Sequence, residues 1–178
     1  MNYYGGKEIA ESFRTVRGNT VKIAEDIPED KYDFKPAPDT RSVGQWLVHL
    51  AVSPMFHTHM HANKIGDMGT VNFPELFQKI GAEEAKPRTK AEIVALLKSE
   101  GDKFASFIEG LSDSFLAETV KLPPGADPAQ KTRFEMLLSA KEHEMHHRAQ
   151  LMLVERMLGI VPHLTRQFQE RMRAPSPR

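Results

Sequence analysis

No cysteine occurs among the 178 residues. Disulfides, zinc knuckles, iron–sulfur clusters and a cysteine nucleophile are therefore excluded. Net charge is missing too, since 24 basic residues are balanced by 24 acidic ones. A dedicated nucleic-acid binder normally carries a basic excess, so that class is set aside despite Arg166, Arg171, Arg173 and Arg178 in the tail. No apolar run approaches the ~20 residues of a membrane span, and no basic start leads into an apolar segment. The expectation is a cytoplasmic protein without membrane contact. Period-two alternation and hairpin signals are also lacking, which leaves helices as the material of the fold.

What is present is helical periodicity punctuated by proline and by capping residues. A first helix is expected from Lys7 to Ile27, with Ile9, Phe13, Val16, Thr20, Ile23 and Ile27 on one stripe and Pro28 ending it. Residues 29–41 hold Pro36 and Pro38 and read as an extended connection. Ser42-Val-Gly-Gln45 has the form of a capping box and opens a second helix reaching Lys64, bent or divided at Pro54. Residues 65–88 form a long connection with a helical turn expected from Pro74 to Ile80, suited to crossing a bundle rather than closing a hairpin. Thr89 and Glu92 box the start of a third helix reaching Leu111, in which Gly101 is a tolerable defect of ~1 kcal/mol. Residues 112–130 are irregular. Thr132 and Glu135 open a fourth helix that runs to Leu158, with Gly159 placed to stop it. A short helix from Thr165 to Met172 and a frayed end from Ala174 complete the chain. The fold expected is one all-α domain over residues 1–178, a four-helix bundle with a long crossover between its second and third helices.

The eight histidines are distributed unevenly over this scheme. On the fourth helix the core stripe is Met136, Ala140, His143, His147, Leu151, Val154 and Leu158, so two histidines four residues apart face inward. His146 falls on a polar row beside them. On the second helix His49 shares a face with Trp46, Phe56 and Met60. A single inward histidine is most simply a hydrogen-bonded core residue. Three in one small bundle are harder to satisfy, because each buried ring needs partners for two nitrogens. A divalent ion takes one nitrogen from each ring, and a pair four apart on a helix can share it. His57 and His61 offer the same spacing, but their row with Thr58 and Lys64 is polar and is expected to face solvent.

Ile27-Pro28-Glu-Asp-Lys-Tyr32-Asp-Phe-Lys-Pro36-Ala-Pro, Arg41-Ser-Val-Gly-Gln-Trp-Leu-Val-His49-Leu-Ala and His143-Glu-Met-His-His147-Arg-Ala-Gln150 together resemble the DinB family of metalloenzymes. The resemblance covers most of the chain in order and spacing. It implies a left-handed up-down-down-up four-helix bundle, often a homodimer, holding zinc or nickel on one histidine of the second helix and two of the last. Those positions are His49, His143 and His147, the three that periodicity turns inward. Ala149 stands where members often have Gly. The family has no common activity. Some relatives use a low-molecular-weight thiol, as do bacillithiol transferases and mycothiol-dependent maleylpyruvate isomerase.

Three neutral ligands leave a coordination position open, the pattern of a catalytic rather than a structural zinc site. The ion would lower the pKa of whatever small molecule occupies that position. With no cysteine in the chain, a thiol must arrive with the substrate. The leading expectation is thus a metal-dependent transferase using a small thiol, with metal-assisted hydrolysis as the alternative. A non-catalytic dimeric stress or binding protein, its metal structural or vestigial, is the reading from another class. Glu142 and Glu144 flank His143 but point elsewhere, so no general base is named. Arg148 is a candidate for orienting an anionic substrate, or else for a surface ion pair.

Overall fold

Hydroxyl side chains set the starts of three helices as expected, at Ser42, Thr89 and Thr132. In residues 4–173, which a computed structural model describes, the order is α1 (Gly6–Asp26), α2 (Val43–Val52), α3 (Pro54–Ala62), α4 (Phe73–Glu84), α5 (Lys90–Glu109), α6 (Asp113–Leu116), α7 (Arg133–Met157) and α8 (His163–Arg173). The boxes at Ser42/Gln45, Thr89/Glu92 and Thr132/Glu135 are all closed, each supplying the free amides of a first turn with an acceptor. Pro54 divides the second helix into α2 and α3. Gly159 follows α7 at φ +78°, a left-handed conformation that costs glycine little. The fraying expected from Ala174 onward lies outside the described residues.

Contacts between helices give their directions. Arg14 near the start of α1 pairs with Glu109 at the end of α5, whereas Glu25 near its end pairs with Lys98, so α1 and α5 are antiparallel. Tyr4 packs on Phe134, Arg17 pairs with Glu144, and Asp26 pairs with Arg166 just beyond α7, so α1 and α7 run together. His49 meets His143 while His61 meets Arg133, which sets α2–α3 antiparallel to α7. The bundle is therefore up-down-down-up. Because α2–α3 and α5 point the same way, the chain must return along the bundle between them, and α4 lies on that return. Its Leu76 and Ile80 are buried against the cluster that contains Trp46 and Leu47.

Two corrections follow from the packing. Residues 112–130 are not wholly irregular: Thr119–Lys121 (β1) pairs antiparallel with Gln130–Thr132 (β2), in the register Thr119 to Thr132. Strands of three residues are too short to show a period, and this pair is held by tertiary contact, with Val120 buried beside Met60, Met68 and Met136. Gly101 is also more than a tolerated defect. A Cβ there would lie 2.7 Å from Arg17 Cγ, so the missing side chain makes room for the arginine stem.

That arginine is the polar centre of the bundle. Arg17 Nε and Nη2 donate to Glu144 Oε1 and Oε2 at 2.8 and 2.9 Å, and its remaining donors reach the carbonyls of Leu97 and Leu50. Thr20 Oγ1 donates to Glu144 Oε1 at 2.7 Å. Four helices are tied by one ion pair with satisfied geometry, the condition under which a buried pair is tolerated. Among the described residues no helix is long and apolar enough to cross a membrane.

Candidate metal centre

His49 on α2 and His143 and His147 on α7 converge where the two helices face each other. One ring nitrogen from each lies within 4.8 Å of the other two, so the three could hold an ion. His49 Nε2 and His143 Nε2 are 3.1 Å apart, close to the ~3.3 Å edge of a tetrahedron with metal–nitrogen bonds of about 2.0–2.1 Å. The outer nitrogens are held as well. Glu84 Oε1 lies 2.6 Å from His49 Nδ1, and Gln150 Oε1 lies 2.7 Å from His147 Nδ1. An acceptor at Nδ1 selects the tautomer protonated there and leaves Nε2 with its lone pair, the arrangement typical of ligating histidines. Burial, reinforced by the neighbouring rings, lowers the His143 pKa to about 4 and lowers that of His147. Both rings are thus neutral at physiological pH, the state in which imidazole binds a metal. Three imidazole donors suit a divalent ion of the first transition row.

A cavity of about 530 Å³ opens above His49 and His143, lined by Arg41, Phe56, His57, Phe77, Ile80 and Glu84 among others. His146 is exposed, its ring beside that of His147 but outside the cluster. Glu142 is exposed, and Glu144 is committed to Arg17 rather than to the histidines. Arg148 does not line the cavity, and its Nε is buried without a partner among the described residues, so neither role expected for it is seen there.

His57 and His61 are not solvent-facing as expected. His61 is 1% exposed, and His57 is largely enclosed, its ring against Phe104 of α5. Because α3 is wedged between α5 and α7, its buried arc is wider than the stripe continued from α2. Burial depresses both pKa values, to about 3 for His57 and about 4 for His61. Their rings stack at 6.4 Å, and among the described residues no third donor completes a metal-binding group with them.

Glu84 was not visible as a site residue because the expected turn stopped at Ile80. Its signal was nonetheless present: Leu76, Ile80 and Glu84 recur every four residues, one face of a helix that continues through Gly81. Gln150 belongs to the quoted histidine run, three residues after His147, and carries a role only once the ring orientation is known.

Known proteins resemble this chain in sequence and in fold. The chain is 26% identical over 152 residues to YjoA, an uncharacterised protein of Bacillus subtilis (strain 168), covering 85% of this chain and 90% of that one. The crystal structure of that DinB-like protein superposes with a TM-score of 0.64 at 24% identity, over 85% of this chain and 92% of its own. YfiT of Bacillus subtilis, described as a probable metal-dependent hydrolase with an unusual four-helix bundle topology, gives 0.66 at 15% identity, covering 90% and 91%. The mycothiol-dependent maleylpyruvate isomerase gives 0.62 at 10% identity, covering 83% of this chain and 61% of that protein. The sequence pattern of the DinB superfamily itself matches residues 12–151, and the chain belongs to that superfamily.

Proposed function

We propose that the protein is a divalent-metal-dependent enzyme acting on a small molecule held in the cavity above His49, His143 and His147. The observation that carries this reading is the convergence of three imidazoles, two of them held at Nδ1, beside an open cavity that His49 and His143 line. A purely structural site is usually closed by a fourth protein ligand. A divalent ion bound there supplies a Lewis acid that lowers the pKa of a thiol or water placed against it. The residues do the positioning. Glu84 and Gln150 fix the rings of His49 and His147, and Phe56, Phe77 and Ile80 form an apolar wall along one side of the cavity.

Transfer involving a low-molecular-weight thiol is the leading reaction. It is favoured by the likeness to the mycothiol-dependent maleylpyruvate isomerase; with no cysteine in the sequence, the thiol would arrive with the substrate. Hydrolysis is the second reading, favoured by the likeness to YfiT, itself described as a probable hydrolase.

Metal analysis of protein purified without chelator tests the proposal. Close to one equivalent per chain is expected, and less than about a tenth of that would refute it. His49→Ala should lose most of the metal and His146→Ala should keep it; equal loss would mean that the wrong face was chosen. Glu84→Gln should bind metal roughly 10–100-fold more weakly while keeping the site. In cobalt-substituted protein, a spectral change on adding a small thiol supports transfer, and no response to any thiol leaves hydrolysis.

A further inference from the structure

Arg41 is a cation without a counter-ion. It precedes the Ser42 cap of α2, is exposed, and makes no ion pair or hydrogen bond with another described residue. It lines the cavity above the histidines and also an adjoining groove that contains Asp39 and Glu84. Neither carboxylate pairs with it, and Glu84 is engaged by His49.

Beyond Arg41, Glu84 and the imidazoles of His49, His57 and His143, the lining offers little free polarity. Ser139 Oγ donates to the Met136 carbonyl and Ser53 Oγ to that of Leu50, so both hydroxyls are turned to their own helices. Phe56 and Phe77 present near-parallel rings 6.3 Å apart, with Ile80 on the same helix as Phe77. Phe77 is 56% exposed, an aromatic surface that no part of the described chain covers. One guanidinium fork matches a carboxylate. The negative charge of Glu84 on the same wall disfavours a more highly charged group such as a phosphate dianion.

We propose that the cavity takes a small carboxylate with an apolar body, its carboxylate paired with Arg41 and its body against Phe56, Phe77 and Ile80. This rests on reading the cavity above the histidines as the substrate site.

Titration calorimetry with phenylacetate and its neutral isostere phenylacetamide tests the assignment, on metal-loaded protein and on protein stripped by chelator. Wild type should bind phenylacetate at least ten-fold more tightly than the amide. Arg41→Gln should remove most of that preference and Arg41→Lys restore part of it, whereas Phe77→Ala should weaken both probes alike. The pairing to Arg41 does not pass through an ion, so the preference should survive stripping. Selectivity in protein that never takes up metal would uphold this proposal and remove the metal reading; stoichiometric metal without selectivity would do the reverse. Failure of wild type to bind phenylacetate at millimolar concentration, equal affinity for the two probes, or an undiminished preference in Arg41→Gln overturns it.

Discussion

Glu155 should destabilise this protein at neutral and alkaline pH, and replacing it with glutamine should reveal by how much. The side chain is fully buried on α7, and among the described residues neither carboxylate oxygen meets a donor. Burial, with the nearby charge of Asp26 adding to it, raises the pKa from 4.5 to about 7. The folded protein therefore holds this proton more tightly than the unfolded chain does. Between about pH 4.5 and 7 the native state binds more protons, so stability falls as pH rises through that window and the loss is complete above it. At 1.36 kcal/mol per pH unit, the gap between 4.5 and 7 corresponds to about 3 kcal/mol. Glu155→Gln cannot ionise, so relative to wild type it should gain about 3 kcal/mol on going from pH 4 to pH 8. Any fixed cost of burying the amide cancels in that difference. Urea unfolding of both proteins at the two pH values measures it directly. Thermal unfolding should show a change in the Tm difference of roughly 6–12 °C for a chain of this size. A variant whose stability tracks wild type equally at pH 4 and pH 8 would show that Glu155 is solvated or hydrogen-bonded in solution, and the reasoning would fail.

Two further outcomes test the packing that holds the histidines in place. Gly101→Ala improves helix propensity by about 1 kcal/mol, yet it should lower the urea midpoint, because the new methyl meets Arg17 Cγ at 2.7 Å; a net loss of about 1–3 kcal/mol is expected. Glu144→Gln strands the Arg17 guanidinium in the core and should cost about 3–5 kcal/mol in equilibrium unfolding.

How much of this was legible beforehand depended on the range of the forces involved. Capping boxes and helical stripes act within four or five residues, so Ser42, Thr89 and Thr132 marked the starts of α2, α5 and α7. The same short-range period turned His49, His143 and His147 inward and His146 outward. The length of the second connection pointed to a crossover, and the parallel run of α2–α3 and α5 requires one. None of this needed knowledge of what packs against what.

The tertiary structure decided everything that depends on a partner far along the chain. Glu84 reaches His49 across 35 residues, and Arg17 reaches Glu144 across 127. Whether a carboxylate orients a ring, or a glycine spares a clash, is set by the opposing helix and leaves no local pattern. The burial of His57 and His61 was misjudged for that reason, since α5 and α7 enclose α3 from two sides. Arg41 stood in plain view beside a helix cap, but its lack of a counter-ion and its place at the cavity are properties of the assembled bundle. Sequence periodicity turned His49, His143 and His147 inward; only packing determined what holds them, what they face, and that His57 and His61 are enclosed as well.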